Sequence, residues 1–135
     1  MKTLKNLTLL SCLVLGLTLL TFSCKKDTAV PLKTLDGKFV GYSKLTNDPT
    51  EYYLNFVFNA NGTLTRSDDP NIAGDYVGTW ALNGNTVSGE FYYGANPNVI
   101  FSFTGTFDAK TGILNGSWGI KPNVTGLSTF TVTKQ

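Results

Sequence analysis

The chain has 135 residues, with 11 lysines and arginines against nine aspartates and glutamates and no histidine. This length predicts a single domain, and a net charge of only +2 does not support a nucleic-acid-binding surface. The lack of histidine excludes a Cys-His pair, a Ser-His-Asp triad and most zinc sites.

The first 23 residues have the features of an export signal. Lys2 and Lys5 are followed by sixteen residues without a charge, from Leu7 to Phe22. A membrane-spanning helix needs about 20 residues, so this segment is short for one, and its basic start is typical of a cleaved signal peptide. An ordinary secretory peptide or a membrane anchor is the alternative interpretation.

The end of this leader, Leu20-Thr21-Phe22-Ser23-Cys24, resembles the lipobox of bacterial lipoproteins, in particular those of the Bacteroidota type. The resemblance implies cleavage after residue 23 and attachment of lipid to Cys24. We therefore expect export and a lipid anchor in the outer membrane, on its periplasmic or its surface face. Lys25 and Lys26 lie beside that anchor, where they can contact anionic head groups.

Removal of the leader leaves nine basic and nine acidic residues, and it also removes Cys12. The folded domain then has neither a free thiol nor a disulfide and must depend on its apolar core. Residues 24 to 35 are expected to form a flexible tether. Within it, Asp27-Thr28-Ala29 resembles the O-glycosylation sequence that Bacteroidota use on exported proteins, which makes Thr28 a candidate site. A plain linker is the alternative.

From residue 36 to residue 135, side chains alternate between apolar and polar, which predicts half-buried β-strands joined by short turns. Asn61-Gly62 is typical of a tight hairpin, here leading to Leu64 and Arg66. Ser67 to Gly74 and Gly94 to Asn98 are predicted loops. The residues predicted to share the inner face are Phe39, Gly41, Ser43, Tyr52, Leu54, Phe56, Phe58, Tyr76, Gly78, Trp80, Leu82, Val87, Gly89, Phe91, Tyr93, Val99, Phe101, Phe103, Gly105, Phe107, Leu114, Gly116, Trp118, Ile120, Phe130 and Val132.

The stretch from Val77 to Ile120 contains the same hairpin twice. Val77-Gly78-Thr79-Trp80 precedes Gly89-Glu90-Phe91 in the first copy, and Thr104-Gly105-Thr106-Phe107 precedes Gly116-Ser117-Trp118 in the second. Residues i and i+2 share a face of a strand, so each Gly-x-aromatic triplet places a glycine gap beside a ring. Such gaps favour a small, strongly curved sheet.

About eight short strands predict an all-β fold, an eight-stranded antiparallel up-and-down barrel, with a β-sandwich as the alternative. Residues 36 to 135, with their Gly-x-Trp and Gly-x-Phe triplets, resemble the calycin superfamily of lipocalins and avidins as a pattern. The resemblance implies a barrel that holds a ligand. No polar biotin-binding residue of avidins can be matched, so it implies no biotin site.

The inward rings are the candidates for a ligand site. On one interpretation they line a cavity at one barrel end that holds a small hydrophobic or planar molecule. On the other they fill the core, because eight strands enclose little space, and the protein then acts through its loops on an envelope partner. The candidate lining residues are Trp80, Phe91, Tyr93, Phe101, Phe103, Phe107 and Trp118. Outward Tyr53 and Tyr92 could also form a stacking surface for carbohydrate or protein.

Catalysis is not expected, and no catalytic residue, metal ligand or cofactor is predicted. Most acidic residues lie in predicted turns, where they are commonly structural. A carboxylate-dependent enzyme would need two of them in one cleft. The candidates are Glu51, Asp68, Asp69, Asp75, Glu90 and Asp108. Asp68-Asp69-Pro70-Asn71 lacks the spacing of a known calcium loop.

Overall fold

The computed structural model describes residues 33–72 and 74–135. The predicted leader, Cys24 and Thr28 lie outside these residues. The described part contains eight β-strands, and none of its residues forms a helix long and apolar enough to cross a bilayer. The strands are β1 (Gly37–Leu45), β2 (Glu51–Phe58), β3 (Thr63–Ser67), β4 (Tyr76–Asn83), β5 (Thr86–Tyr93), β6 (Asn96–Asp108), β7 (Ile113–Ile120) and β8 (Ser128–Lys134).

Each strand pairs antiparallel with the next, and β1 pairs with β8 to close the sheet. Phe39 lies opposite Phe56 where β1 meets β2, and Gly41 lies opposite Val132 at the closure. The prediction of an eight-stranded up-and-down antiparallel barrel is confirmed, and the sandwich is excluded. Closure pairs the edges that an open sheet would expose.

Aromatic rings fill the middle of the barrel. Phe56 is fully buried, and its ring centre lies 5.4 Å from that of Phe58, 5.9 Å from Phe103 and 5.5 Å from Phe130. Aromatic pairs at such distances stabilise the folded protein beyond the contribution from burial of the rings alone. The buried apolar residues are Leu35, Phe39, Leu54, Phe56, Phe58, Leu64, Val87, Phe91, Phe103, Phe107, Leu114, Trp118, Phe130 and Val132.

Three of the four glycines in the repeated triplets lie directly opposite large rings of a neighbouring strand, whereas Gly105 lies opposite Val87 and Gly116. Gly89 pairs with Phe103 and Gly116 pairs with Phe130. A Cβ at Gly116 would lie 2.5 Å from Phe130 Cζ, and one at Gly89 would lie 2.5 Å from Phe103 Cε1. The rings therefore occupy the space that the missing side chains leave, which lets so many of them pack inside one barrel.

Two local predictions are wrong. The Gly94 to Asn98 loop is shorter than predicted, because β6 already begins at Asn96, opposite Tyr93. Tyr92 pairs with Ile100, so residues 97–99 bulge from the ladder, and Val99 is exposed. Ser67, predicted to start the next loop, is instead the buried last residue of β3.

The alternating pattern also fails at several strand ends. Side chains on the predicted inner face that are largely exposed are Tyr52, Leu82, Tyr93, Val99 and Ile120. Alternation reports the face of a strand, but a residue beyond the last layer of the core meets solvent on either face.

The two ends of the barrel differ. At the end that we call the closed end, the sheet is covered by residues 33–36, where Leu35 is buried and the Lys33 N–H donates to the Ala109 carbonyl at 2.7 Å. The other end, which we call the open end, carries the connections from β1 to β2, β3 to β4, β5 to β6 and β7 to β8. The described chain therefore enters the barrel at the end opposite these connections.

Candidate functional site

A cavity of about 320 Å³ opens at the open end of the barrel. Aromatic side chains form most of its walls, and the Arg66 guanidinium lies between them. We call it the Arg66 pocket, and the side chains that define it are Tyr52, Tyr53, Arg66, Tyr76, Phe91, Phe101 and Trp118. Because the middle of the barrel is filled, the pocket ends where the packed rings begin.

Arg66 follows Leu64 by two positions on β3, so the strand directs both side chains inward. Arg66 is only 6% exposed. Its guanidinium carbon lies 4.3 Å from the ring centre of Tyr76, 4.8 Å from that of Trp118 and 5.1 Å from that of Phe91. These distances are typical of cation–π contacts, which gain strength where water is excluded.

Asp68 provides the counter-charge. Arg66 Nη2 donates to Asp68 Oδ1 at 2.5 Å, but the Asp68 side chain is 45% exposed and the Arg66 side chain only 7%. Within residues 33–72 and 74–135, Arg66 Nε is buried and has no hydrogen-bond partner. The ion pair thus joins an acid that has access to water with a cation that does not.

Hydrogen bonds hold Tyr52 at the rim of the pocket. Its hydroxyl donates to Asp48 Oδ2 at 2.5 Å, and the Thr50 N–H donates to Asp48 Oδ1 at 2.9 Å. The hydrogen bonds from Thr50, and then the one from Tyr52, lower the pKa of Asp48. The hydrogen bond to Asp48 raises the pKa of Tyr52, because it favours the neutral phenol.

The seven residues predicted from the sequence do not line one cavity. Phe91, Phe101 and Trp118 line the Arg66 pocket, whereas Trp80 and Phe107 line a cleft beside Leu35 at the closed end. Two others belong to neither group. Phe103 is fully buried in the filled middle, and Tyr93 is 45% exposed with its ring centre 5.5 Å from that of Tyr76.

Sequence reasoning missed the polar half of the site. The sequence pattern identifies Arg66 only as a position after the tight hairpin, and Asp68 only as a loop residue and one of several candidate carboxylates. The available signal was the spacing of Leu64 and Arg66, which places a cation on the same face as a core leucine. A charged residue on an inward face is rare unless it is paired, so its presence there indicates a candidate functional residue.

Tyr53 and Tyr92 do not form a joint stacking surface. Tyr53 lies on β2 and Tyr92 on β5, and β3 and β4 separate these strands in the sheet. Tyr53 instead lines the Arg66 pocket.

The acidic residues make local contacts. Glu90 pairs with Lys121 at 2.9 Å and Glu51 with Lys44 at 3.0 Å. Asp108 accepts hydrogen bonds from the Lys110 N–H at 2.8 Å and the Thr111 hydroxyl at 2.9 Å, and these bonds lower its pKa. Among the residues that the structure describes, no three His, Cys, Asp or Glu side chains are grouped to hold a metal ion.

In comparisons with known proteins, no family model, no curated protein and no solved structure matches this chain.

Proposed function

We propose that the protein is a lipid-anchored β-barrel of the bacterial cell envelope that binds a small apolar or planar molecule in the Arg66 pocket. The observation that carries this proposal is the position of the pocket, an aromatic cavity at the end of the barrel opposite to the one where the chain enters. The proposed activity is binding and not catalysis.

The closed end is well attached to the segment that leads from the anchor. The Lys33 ammonium donates to the Thr111 carbonyl at 3.1 Å, and the Lys134 ammonium donates to the Thr34 carbonyl at 2.7 Å. Cys24 precedes Lys33 by nine residues, which span at most about 30 Å when fully extended. A lipid on Cys24 would therefore hold the closed end within about 30 Å of the membrane, and the pocket mouth opens at the opposite end of the barrel.

The size and lining of the pocket suit a compact ligand. Its volume of about 320 Å³ is at the lower end of the range for small-molecule sites. The partly buried rings of Tyr53, Tyr76 and Phe101 offer flat apolar surface, and phenol hydroxyls at the rim can meet polar groups.

The filled middle of the barrel supports a second candidate, an interaction lipoprotein that acts through its loops. Phe56 and Phe103 are fully buried and leave no continuous cavity through the barrel. On this hypothesis the connections at the open end bind an envelope protein and the Arg66 pocket has only a structural role.

The anchor can be tested with the two cysteines of the chain. We expect Cys24→Ser to move the protein from the membrane fraction to the soluble fraction after export, since lipid attachment needs the Cys24 thiol. Cys12→Ser is the matched control and should stay in the membrane fraction. Membrane partition that is unchanged in Cys24→Ser would contradict the lipoprotein part of the proposal.

Native mass spectrometry of the protein purified from its host's envelope tests the binding part. We expect a retained small molecule that is released when the protein unfolds. A protein that carries no small molecule but co-purifies with an envelope protein would favour the second candidate.

A further inference from the structure

We infer that the ligand carries a carboxylate, or a similar anionic group, that binds the Arg66 guanidinium in place of Asp68. This inference rests on the proposed function and specifies its ligand: a short, flat, apolar body with one anionic group at its inner end. Three features of the pocket lead to it.

First, the guanidinium has unused donor capacity. Asp68 accepts a hydrogen bond only from Nη2, and Nε is buried without a partner in the described chain. Leaving a buried donor without an acceptor costs free energy. A carboxylate lying along the edge formed by Nε and Nη2 would accept both hydrogen bonds, in the bidentate geometry that arginine favours.

Second, the present counter-ion can be replaced. Asp68 follows β3, and its half-exposed carboxylate can return to water, whereas Arg66 is held among three rings. Exchanging one carboxylate for another keeps the site neutral, so no charge is left buried alone. A neutral ligand could accept the Nε hydrogen bond but would not replace the negative charge of Asp68, and a cationic ligand would be repelled by Arg66.

Third, the depth of the pocket limits the shape of the ligand. The Trp118 ring centre lies 6.0 Å from that of Phe91 and 5.5 Å from that of Phe130, so these rings close the path into the barrel. A long flexible chain therefore has no channel to occupy. A flat ring system can instead stack on the walls of the pocket.

The test uses two probes of the same shape that differ in charge, 2-naphthoate and 2-naphthamide. Their dissociation constants are measured by titration calorimetry with the full-length protein. We expect the carboxylate to bind about tenfold or more tightly than the carboxamide, as is typical of a charge-assisted pair. Octanoate serves as a third probe that separates a flat acid from a fatty acid, and we expect it to bind more weakly than 2-naphthoate; tighter binding of octanoate would overturn the flat shape assigned to the ligand.

Three variants assign the preference to Arg66. Arg66→Met should remove it, because the charge is lost while a long apolar side chain still fills the space. Asp68→Asn should strengthen binding of 2-naphthoate, because the competing carboxylate is gone. Asp69→Asn is the matched control, since it makes the same charge change one residue away, and it should leave both affinities unchanged.

Each outcome supports or overturns a defined statement. A carboxylate preference that Arg66→Met removes and only Asp68→Asn strengthens would support the inference. Equal binding of the two naphthalene probes, or a preference that survives in Arg66→Met, would overturn it and leave the proposed pocket intact. If none of the three probes binds the wild-type protein, both the pocket proposal and the inference fail.

Discussion

The guanidinium carbon of Arg66 lies 4.8 Å from the ring centre of Trp118, and the two side chains come from opposite walls of the barrel, β3 and β7. The contact therefore spans the open end and forms part of the floor of the pocket. A ligand in the pocket would contact both the Arg66 cation and the Trp118 ring. Stability and binding should consequently be linked at this position.

Replacing Arg66 by alanine should destabilise the protein by about 2 to 4 kcal/mol, because the side chain packs against three rings and its removal leaves a cavity. Arg66→Met should cost less, about 1 kcal/mol, since a long apolar side chain replaces the buried ion and methionine sulfur packs well on aromatic rings. Urea unfolding measures both free energies. Equal losses in the two variants would contradict the role given to side-chain packing.

Gly116→Ala should destabilise the barrel by about 3 kcal/mol, which is at the upper end of the range of losses typical of an overpacked core. The new methyl group would lie 2.5 Å from Phe130 Cζ and would overlap the carbonyl oxygen of Thr104. Gly94→Ala is the matched control, because its Cβ would meet only the Asp75 carbonyl oxygen, at an ordinary 3.5 Å. Thermal unfolding of both variants tests the prediction, and similar melting temperatures would refute it.

Trp80 stabilises the closed end through its ring and its N–H group. The ring packs edge-on against Phe58 at 5.6 Å, and Nε1–H donates to the carbonyls of Asn59 and Thr63 at 3.1 and 3.0 Å. Trp80→Ala should cost about 3 kcal/mol. Trp80→Phe keeps a ring and should cost about 1 kcal/mol, the net value of the hydrogen bonding. Urea unfolding measures both losses, and a near-neutral Trp80→Ala would show that the ring adds nothing to the core.

Asp108 should make stability fall in acid. The hydrogen bonds from Lys110 and Thr111 lower the pKa of Asp108 in the folded state, so the carboxylate favours folding above its unfolded pKa. That contribution is lost as the pH falls below about 4 and passes through the folded pKa. The difference in unfolding free energy between wild type and Asp108→Ala should therefore shrink as the pH is lowered from 6 to 2.

Asp108→Asn provides the control for this titration, since the amide oxygen can still accept the Lys110 N–H but cannot be protonated in this range. Its stability should vary less with pH than that of the wild type. A difference between wild type and Asp108→Ala that stays constant down to pH 2 would exclude the assigned role.

The barrel itself could be predicted from the sequence, because its two main signals are local. Alternation with a period of two identifies the strands, and pairs such as Asn61-Gly62 identify the turns between them. The start of β6 differs from the prediction because proline is typical of loops, whereas Pro97 lies in a bulge, where no ladder hydrogen bond is needed.

The site could be predicted only in part, because alternation gives the face of a residue and not its height in the barrel. Trp80 and Trp118 share the inner face but lie near opposite ends. The Arg66 pocket forms because Arg66 and the rings of other strands lie at the same height in the barrel. The register between neighbouring strands determines which residues share a height. Register is fixed by the closed sheet as a whole.

Binding of a ligand at the open end can be tested directly with the two indole N–H groups of the protein. A ¹H–¹⁵N spectrum is recorded before and after addition of 2-naphthoate. Trp118 lines the Arg66 pocket and Trp80 the closed-end cleft, so each indole signal reports on one end. We predict that the Trp118 signal shifts and the Trp80 signal stays in place. A shift of Trp80 alone, or of neither signal, would show that 2-naphthoate does not bind at the open end.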